Sequence, residues 1–244
     1  MSVPRLDVYI PAHAKDFEIL PDCVASVRAH IPGCGAVHVV SARPHSSVEA
    51  IWHQEDAIVS LADVERALPP NDATARWYRQ QLLKLLCPLR VPRWLQVDAD
   101  IVFQREAAMV DTRGVSLLSP YRETAWHQPY FDWMARLLPG LEPTGTQSLI
   151  AHHLVYDRDI LDSLLAEVED AHRMPFAQAY CEAVDPAWVS RSGAAESELY
   201  SHYALSRYPS RVRVRSLRWE ECETRQLRPD LDFTGHHTWN RRHL

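Results

Sequence analysis

The sequence predicts an α/β protein built on a mostly parallel sheet that is flanked by helices. Short apolar runs typical of strands alternate with segments whose apolar residues recur at helical spacing, which is the pattern of a layered α/β fold. The 244 residues, 46% of them apolar, suffice for one sizeable core but not for two comfortable domains. We therefore expect a single domain over residues 1–244.

The first elements form a strand, a helix and a second strand. Residues 6–12 (LDVYIPA) are apolar and end beside a proline, which predicts a strand. Residues 17–30 have apolar side chains at helical spacing, and Pro32 and Gly33 predict the end of that helix. Residues 36–41 predict the second strand. This order within about forty residues is typical of a parallel βαβ unit.

The later elements continue the alternation. Residues 72–87 predict a helix that Asn71 or Asp72 caps and Pro88 ends. Further strands are predicted at 94–97, 114–118, 149–156 and 211–217, and further helices at 127–138, 159–172 and 196–206. Residues 101–103 continue the apolar pattern beyond residues 98–100. Residues 225–244 are polar, aromatic and irregular in pattern.

Composition excludes several classes of protein. A net charge of −6 argues against a nucleic-acid-binding protein, and only seven glycines argue against a glycine-rich phosphate cradle. The five cysteines are widely spaced without a zinc pattern, which predicts free thiols in a reducing cytosol. No segment resembles a signal peptide or a membrane span. We therefore expect a cytoplasmic protein without a transmembrane segment.

Two aspartates, Asp98 and Asp100, directly follow a predicted buried strand. Ligands bind at the carboxyl edge of open α/β sheets, and carboxylates are ligands that Mg²⁺ or Mn²⁺ prefers beside substrate phosphates. A metal held there can neutralise a diphosphate leaving group. The alternative is a turn in which both aspartates cap backbone amides or face water. The apolar flanks on both sides favour the functional interpretation, because buried acids need a group that offsets their charge.

The helix before this strand has a polar stripe at helical spacing, formed by Trp77, Gln80, Gln81 and Lys84. Its opposite side, with Leu82, Leu85 and Leu86, is expected to face the core. The stripe offers stacking, amide hydrogen bonds and a cation for phosphate or sugar hydroxyls. The alternative is an ordinary amphipathic helix with a solvated polar face.

Histidines and glutamates follow downstream. His152 and His153 lie within one predicted strand, so only one of them can enter a given site. His236 and His237 near the end of the chain could complete a metal shell or belong to a surface tail.

Glu196 and Glu198 open a predicted helix, where the helix dipole alone favours acids. A functional interpretation makes one of them a general base, or a partner that orients an acceptor hydroxyl. The sequence offers no independent way to choose between these interpretations.

Six segments in this order resemble a group of largely uncharacterised bacterial proteins with the GT-A glycosyltransferase fold. The likeness covers most of the chain, from Leu6 to Trp239. The second and third segments together are the most specific part. The segments are VYIPAHAKDFEILPDCVASVRAHIP, WYRQQLLKL, WLQVDADIVF, SLIAHHLVYDR, ESELYSHY and GHHTW.

The resemblance implies a Rossmann-like GT-A sheet, a C-terminal segment that closes over the active site, and transfer of a sugar from a nucleotide diphosphate sugar such as a UDP-sugar to a hydroxyl acceptor. It implies nucleoside contacts from Pro11, Ala12, His13 and Asp16, and donor contacts from Trp77, Gln80, Gln81 and Lys84. It also implies an Mn²⁺ or Mg²⁺ site formed by Asp98, Asp100 and either His236 or His237. Asp98 would in addition contact the donor diphosphate. His153 and Glu198 would line the acceptor side. The chain departs from the family pattern at Ala195, where a serine is expected.

Two other functions fit parts of the pattern. A phosphohydrolase of the haloacid dehalogenase type would use Asp98 as nucleophile. The chain has only two lysines, Lys15 and Lys84, and neither follows the aspartate motif as that class requires. A non-catalytic sugar-nucleotide-binding module could use the eight tryptophans for stacking, but the intact aspartate pair favours catalysis.

Overall fold

The computed structural model describes residues 4–46, 48–70, 74–120, 128–145, 148–191 and 193–237. Four sequence predictions concern residues outside these ranges. They are the helix caps at Asn71 and Asp72, the helix start at residue 127, and the C-terminal limit of the family likeness at Trp239.

The described strands and helices alternate along the chain as expected. The strands are β1 (Leu6–Pro11), β2 (Cys34–Ser41), β3 (Ile51–Gln54), β4 (Arg93–Val97), β5 (Ile101–Phe103), β6 (Ser116–Leu118), β7 (His153–Asp157), β8 (Val212–Val214), β9 (Trp219–Glu221) and β10 (Phe233–Gly235). The α-helices are α1 (Leu20–His30), α2 (Leu61–Ala67), α3 (Ala75–Leu85), α4 (Gln128–Leu137), α5 (Arg158–His172), α6 (Phe176–Glu182) and α7 (Glu196–Arg207). None of the helices in the described ranges is long and apolar enough to cross a membrane.

The central sheet has the strand order β3-β2-β1-β4-β7. Its first four strands are parallel, and β7 runs antiparallel to β4 with Val97 opposite His153. The predicted mostly parallel α/β sheet is therefore confirmed. The carboxyl ends of β1 and β4 and the start of β7 consequently meet at one edge, where ligands of such sheets bind.

The strand β4 is buried on both faces. Trp94 packs in one apolar cluster with Leu82 of α3 and Tyr156 of β7, whereas Leu95 packs in the other cluster with Val24 of α1. Successive strand residues point to opposite faces, which explains this division. The aspartate motif that follows β4 is therefore attached to a strand that is packed on both faces.

Two small sheets complete the fold. The strand β10 lies between β5 and β9, antiparallel to β5 and parallel to β9, and β6 pairs with β8. The strands β9 and β10 have three residues each, too few for an alternating pattern to reveal. The backbone amide of His236 donates to the carbonyl of Asp100 at 2.8 Å. The C-terminal segment thus returns to the edge of the central sheet that carries the two aspartates.

Candidate active site

Asp98 lies in a tight turn between β4 and β5. Its amide donates to the carbonyl of His152 at 2.8 Å, and its own carbonyl accepts from the amide of Ile101 at 3.2 Å. These backbone bonds fix the first aspartate of the motif at the end of a strand whose last four residues are buried.

Three side chains surround the carboxylate of Asp98. Its Oδ1 accepts from Lys84 Nζ at 2.8 Å and from Gln96 Nε2 at 2.9 Å, and its Oδ2 lies 3.3 Å from His152 Nδ1. Burial acts to raise the pKa of Asp98, but the charge of Lys84 and the contact with His152 hold it well below its ordinary range. Asp98 is therefore a charged carboxylate inside the protein.

Lys84 joins this aspartate to the start of α7. Its Nζ lies 2.7 Å from Glu196 Oε1, and only 6% of Lys84 and 7% of Glu196 is exposed. Burial lowers the pKa of Lys84, but the charges of Asp98 and Glu196 outweigh burial and raise it above its ordinary value. Each charge also lies at a favourable helix end, the lysine in the last turn of α3 and the glutamate in the first turn of α7.

Asp100 pairs with the second of the C-terminal histidines. Its Oδ2 lies 2.9 Å from His237 Nδ1, and His237 Nε2 lies 3.7 Å from Glu221 Oε1. Burial acts to lower the pKa of His237, but the hydrogen bond to Asp100 raises it. Burial likewise acts to raise the pKa of Asp100, and His237 lowers it. The nearly buried pair is thus a charge-assisted contact.

His236 points elsewhere. Its Nε2 lies 3.0 Å from Thr234 Oγ1, and its side chain is buried. His236 and His237 are consecutive residues after β10, and their rings contact different groups, Thr234 and Asp100. Of the two histidines predicted for the metal, His237 is the one whose ring contacts an aspartate of the motif.

His152, just before β7, and His153, its first residue, divide in the same way. The structure brings His152 to Asp98, whereas His153, predicted for the acceptor side, contacts Ser119. The ring of His152 lies 4.9 Å from that of His237 and 4.8 Å from that of Trp219, measured between centroids. His153 is buried with its Nε2 at 3.1 Å from Ser119 Oγ, and burial lowers its pKa to about 3. The ring of His153 packs against the buried Phe103 and Phe233, so its side chain points into the apolar core.

The two glutamates of α7 have different surroundings. Whereas Glu196 contacts Lys84, Glu198 is fully buried and accepts from Ser148 Oγ and from the amide of Leu149. His202 Nε2 lies 3.0 Å from Glu198 Oε2. Two positions along an α-helix correspond to about 200° of rotation, which places the two carboxylates on different sides of α7. The contacts of Glu198 tie the segment before β7 to α7 and are those of a positioning residue.

The polar stripe of α3 is less solvated than the sequence suggests. Lys84 reaches Asp98, but Gln81 is buried and its Oε1 accepts from Tyr180 Oη at 2.5 Å. Trp77 and Gln80 are partly exposed. The opposite side behaves as expected, since Leu82 and Leu85 are buried and Leu86 is partly buried.

The predicted nucleoside contacts begin at Pro11, the last residue of β1, and continue into the loop beyond it at the same sheet edge. Pro11 and Ala12 are buried, and the amide of Ala12 donates to the carbonyl of Val40 at 2.9 Å. His13 is exposed and its Nδ1 accepts from the amide of Lys15, whereas Asp16 is buried.

A buried thiol of α1 lies against the aspartate motif, since Cys23 Sγ donates to the carbonyl of Asp98 at 3.6 Å. Burial raises the pKa of Cys23, and the negative charges of Asp100, Asp98 and Asp16 raise it further. All five cysteines, Cys23 among them, are free, as the sequence predicted.

The described side chains at this sheet edge are of types that bind a divalent cation, although they do not form a complete metal site. Among the residues that the structure describes, no three side chains of His, Cys, Asp or Glu are arranged to hold a metal ion. The buried ammonium of Lys84 nevertheless brings the carboxylates of Asp98 and Glu196 together, and Asp100, two residues after Asp98, contacts His237. Carboxylate oxygens with one imidazole, that of His237, suit Mn²⁺ or Mg²⁺.

Comparisons with known proteins establish the fold. No protein-family model matches the chain, and no curated protein sequence matches it. Among solved structures, the apo form of mouse xyloside xylosyltransferase 1 superposes with a TM-score of 0.50 at 10% identity, over 95% of this chain and 97% of that one. The chain has the GT-A fold. The expected fold class is thus confirmed, and the aspartate motif lies at the ligand-binding edge of a GT-A sheet.

Sequence reasoning missed three residues of this site, and it named His152 only as the neighbour of the histidine that it assigned. Gln96, Trp219 and Glu221 all contact or adjoin the central groups. For Gln96 a signal existed, because it is the only polar residue in the apolar run WLQV before the motif. For Trp219 and Glu221 the sequence held no signal, since short β9 reaches the site only through pairing with β10.

Proposed function

We propose that the protein is a metal-dependent glycosyltransferase that moves a sugar from a nucleotide diphosphate sugar, such as a UDP-sugar, to a hydroxyl acceptor. The observation that carries the proposal is the convergence of Asp98, Asp100, Lys84 and His237 at the carboxyl edge of the GT-A sheet. The mouse structure with the same fold is that of a xylosyltransferase, which supports transfer of a sugar as the reaction class.

Asp98, Asp100 and His237 would hold the cation, which when bound supplies positive charge against the diphosphate leaving group. The chain's own contribution is to keep these groups in the required charge state. Asp98 stays ionised because Lys84 and His152 stabilise its negative charge. His237 must give up its proton before its nitrogen can act as a ligand, and Asp100 raises its pKa.

The loop after β1 is the proposed nucleoside contact. Pro11 ends β1, the strand next to β4, and Ala12, His13 and Asp16 follow it, which supports their assignment to one continuous donor site. Of the α3 stripe, Lys84 is supported as a donor-side group, and the partly exposed Trp77 and Gln80 stay proposals. Buried Gln81 is better explained by its bond to Tyr180.

The acceptor side changes relative to the sequence-based expectation. Glu198 has its oxygens bound by Ser148, Leu149 and His202, so Glu196 is the better candidate base of the two. That role requires Lys84 to release Glu196 in the loaded enzyme. On the acceptor side, His152 replaces His153 as the proposed histidine.

Calorimetric titration with UDP and with GDP, each with and without Mn²⁺, tests the proposal. We expect one nucleotide to bind in an Mn²⁺-dependent way, and Asp100→Asn to weaken that binding at least about tenfold, because the variant removes a charged ligand. Asp63→Asn, in the exposed turn of α2, is the matched control and should bind like the wild type. Binding that ignores both Mn²⁺ and Asp100→Asn would refute the proposal.

One observation favours the phosphohydrolase as a second candidate. Lys84 Nζ lies 2.8 Å from Asp98 Oδ1, so a cation does neutralise this aspartate although it precedes the motif in sequence. Hydrolysis of p-nitrophenyl phosphate that depends on Asp98 would support that function. Hydrolysis of a UDP-sugar without acceptor would instead support transfer, and would also argue against a binding module without catalytic activity.

A further inference from the structure

Lys84 is a buried cation between two carboxylates that come from distant parts of the chain. Its ammonium lies 2.8 Å from Asp98 Oδ1 and 2.7 Å from Glu196 Oε1. The two side chains that it joins follow β4 and begin α7, so the contact links the sheet edge to a helix on one of its faces. The lysine therefore already occupies a cation position at the first aspartate of the motif.

The oxygens of Asp98 are heavily used by protein donors. Oδ1 accepts from both Lys84 and Gln96, and Oδ2 is next to His152. A carboxylate oxygen has two lone pairs, so Oδ1 has no remaining position for a further close partner. A divalent ion that binds Asp98 must therefore come close to the ammonium or displace it. Two like charges in a poorly solvated site repel each other strongly.

We propose that Lys84 is an internal counter-ion that competes with the divalent metal for Asp98. The inference rests on the proposed function, because it concerns the same metal site. Metal alone binds weakly, since its approach is opposed by the ammonium. A nucleoside diphosphate adds negative charge that both cations can share, so metal and nucleotide strengthen each other's binding. This mutual effect is reciprocal, as any coupling between two ligands must be.

Variants of Lys84 test the competition through metal binding alone. Mn²⁺ affinity, measured by electron paramagnetic resonance or calorimetry without nucleotide, should rise about tenfold in Lys84→Met, because one positive charge is removed from beside the metal. Lys84→Arg keeps the charge and should bind Mn²⁺ like the wild type. The increase in Mn²⁺ affinity that UDP causes should be smaller in Lys84→Met than in the wild type.

The outcomes separate the inference from the proposed function. Equal or weaker Mn²⁺ binding by Lys84→Met would overturn the competition and leave the metal site standing. A lack of Mn²⁺ binding by the wild type and both variants would overturn the metal-dependent transferase together with the inference. A Lys84→Met protein that folds only when Mn²⁺ is present would support the inference, since the metal would then replace the missing counter-ion.

The wild type allows a second measurement that needs no change at the site. The chain has only two lysines, Lys15 and Lys84, so lysine labelled with ¹³C at Cε gives two signals, which Lys15→Arg assigns. Mg²⁺ added without nucleotide should shift the Lys84 signal as the site fills, and the exposed Lys15 serves as the reference. Saturation with Mg²⁺, shown by calorimetry, that leaves the Lys84 signal unchanged would overturn the inference.

Discussion

His237 Nδ1 lies 2.9 Å from Asp100 Oδ2, a contact between residues 137 positions apart that connects the C-terminal segment to the end of the central sheet. The backbone contributes as well, because the next amide towards the N-terminus, that of His236, donates to the carbonyl of Asp100. Both bonds depend on β10 pairing with β5. The same short strand that the sequence pattern does not reveal therefore places the histidine at the site.

This contact predicts a pH-dependent stability of the metal-free protein. The pKa of His237 is raised in the folded state, so its contribution is fully present below the ordinary histidine pKa and is lost as the pH rises through the raised value. His237→Gln should lower the free energy of unfolding by about 1–2 kcal/mol near pH 5.5, and by less near pH 8.5. Urea denaturation in EDTA measures this, with His30→Gln as control. An equal loss at both pH values would contradict the prediction.

His153 should give the opposite dependence. Burial lowers its pKa to about 3, so the unfolded chain binds a proton that the folded protein does not. The free energy of unfolding therefore decreases as the pH falls below the ordinary histidine pKa, and His153 accounts for at most about 1.4 kcal/mol of this decrease per pH unit. His153→Gln should flatten the fall in unfolding free energy between about pH 6.5 and pH 4.5, relative to the wild type. A variant with the same slope as the wild type would show that His153 is protonated in the fold.

The sequence predicted the aspartate motif well because its signal is local. An apolar run followed at once by two acids places Asp98 and Asp100 at the end of a buried strand, and helical spacing places Lys84 one element earlier. The partners of Lys84 were not predictable, since Glu196 lies 112 positions away and only the packing of α3 against α7 brings the two together. The choice between His152 and His153 depends on the register of β7 against β4, and a one-residue shift of that register reverses the two faces.

Glu198 should stabilise the fold. Its fully buried carboxylate contacts Ser148, Leu149 and His202, so Glu198→Ala leaves several buried donors without an acceptor. We expect a loss of about 3–5 kcal/mol in the free energy of unfolding. Glu198→Gln keeps the shape and one acceptor and should lose less. Urea denaturation gives both values, and amide hydrogen exchange should show faster opening at Leu149 in both variants. A change below about 1 kcal/mol in Glu198→Ala would contradict this role.

The same substitution at Glu196 and Glu198 should separate a base from a positioning residue. If Glu196 takes the acceptor proton, Glu196→Gln lowers kcat for sugar transfer about 100-fold and leaves the donor Kd within about threefold, because the base acts in the transition state. Glu198→Gln, on the same first turn of α7, should retain kcat within about threefold per folded molecule, because its carboxylate is directed at Ser148 and Leu149. Steady-state kinetics on the folded fraction measure both variants. Equal losses of kcat in the two variants would show that α7 affects transfer only by its position. A rise in the donor Kd that accompanies the loss of kcat in Glu196→Gln would instead assign Glu196 to the donor site, through its contact with Lys84.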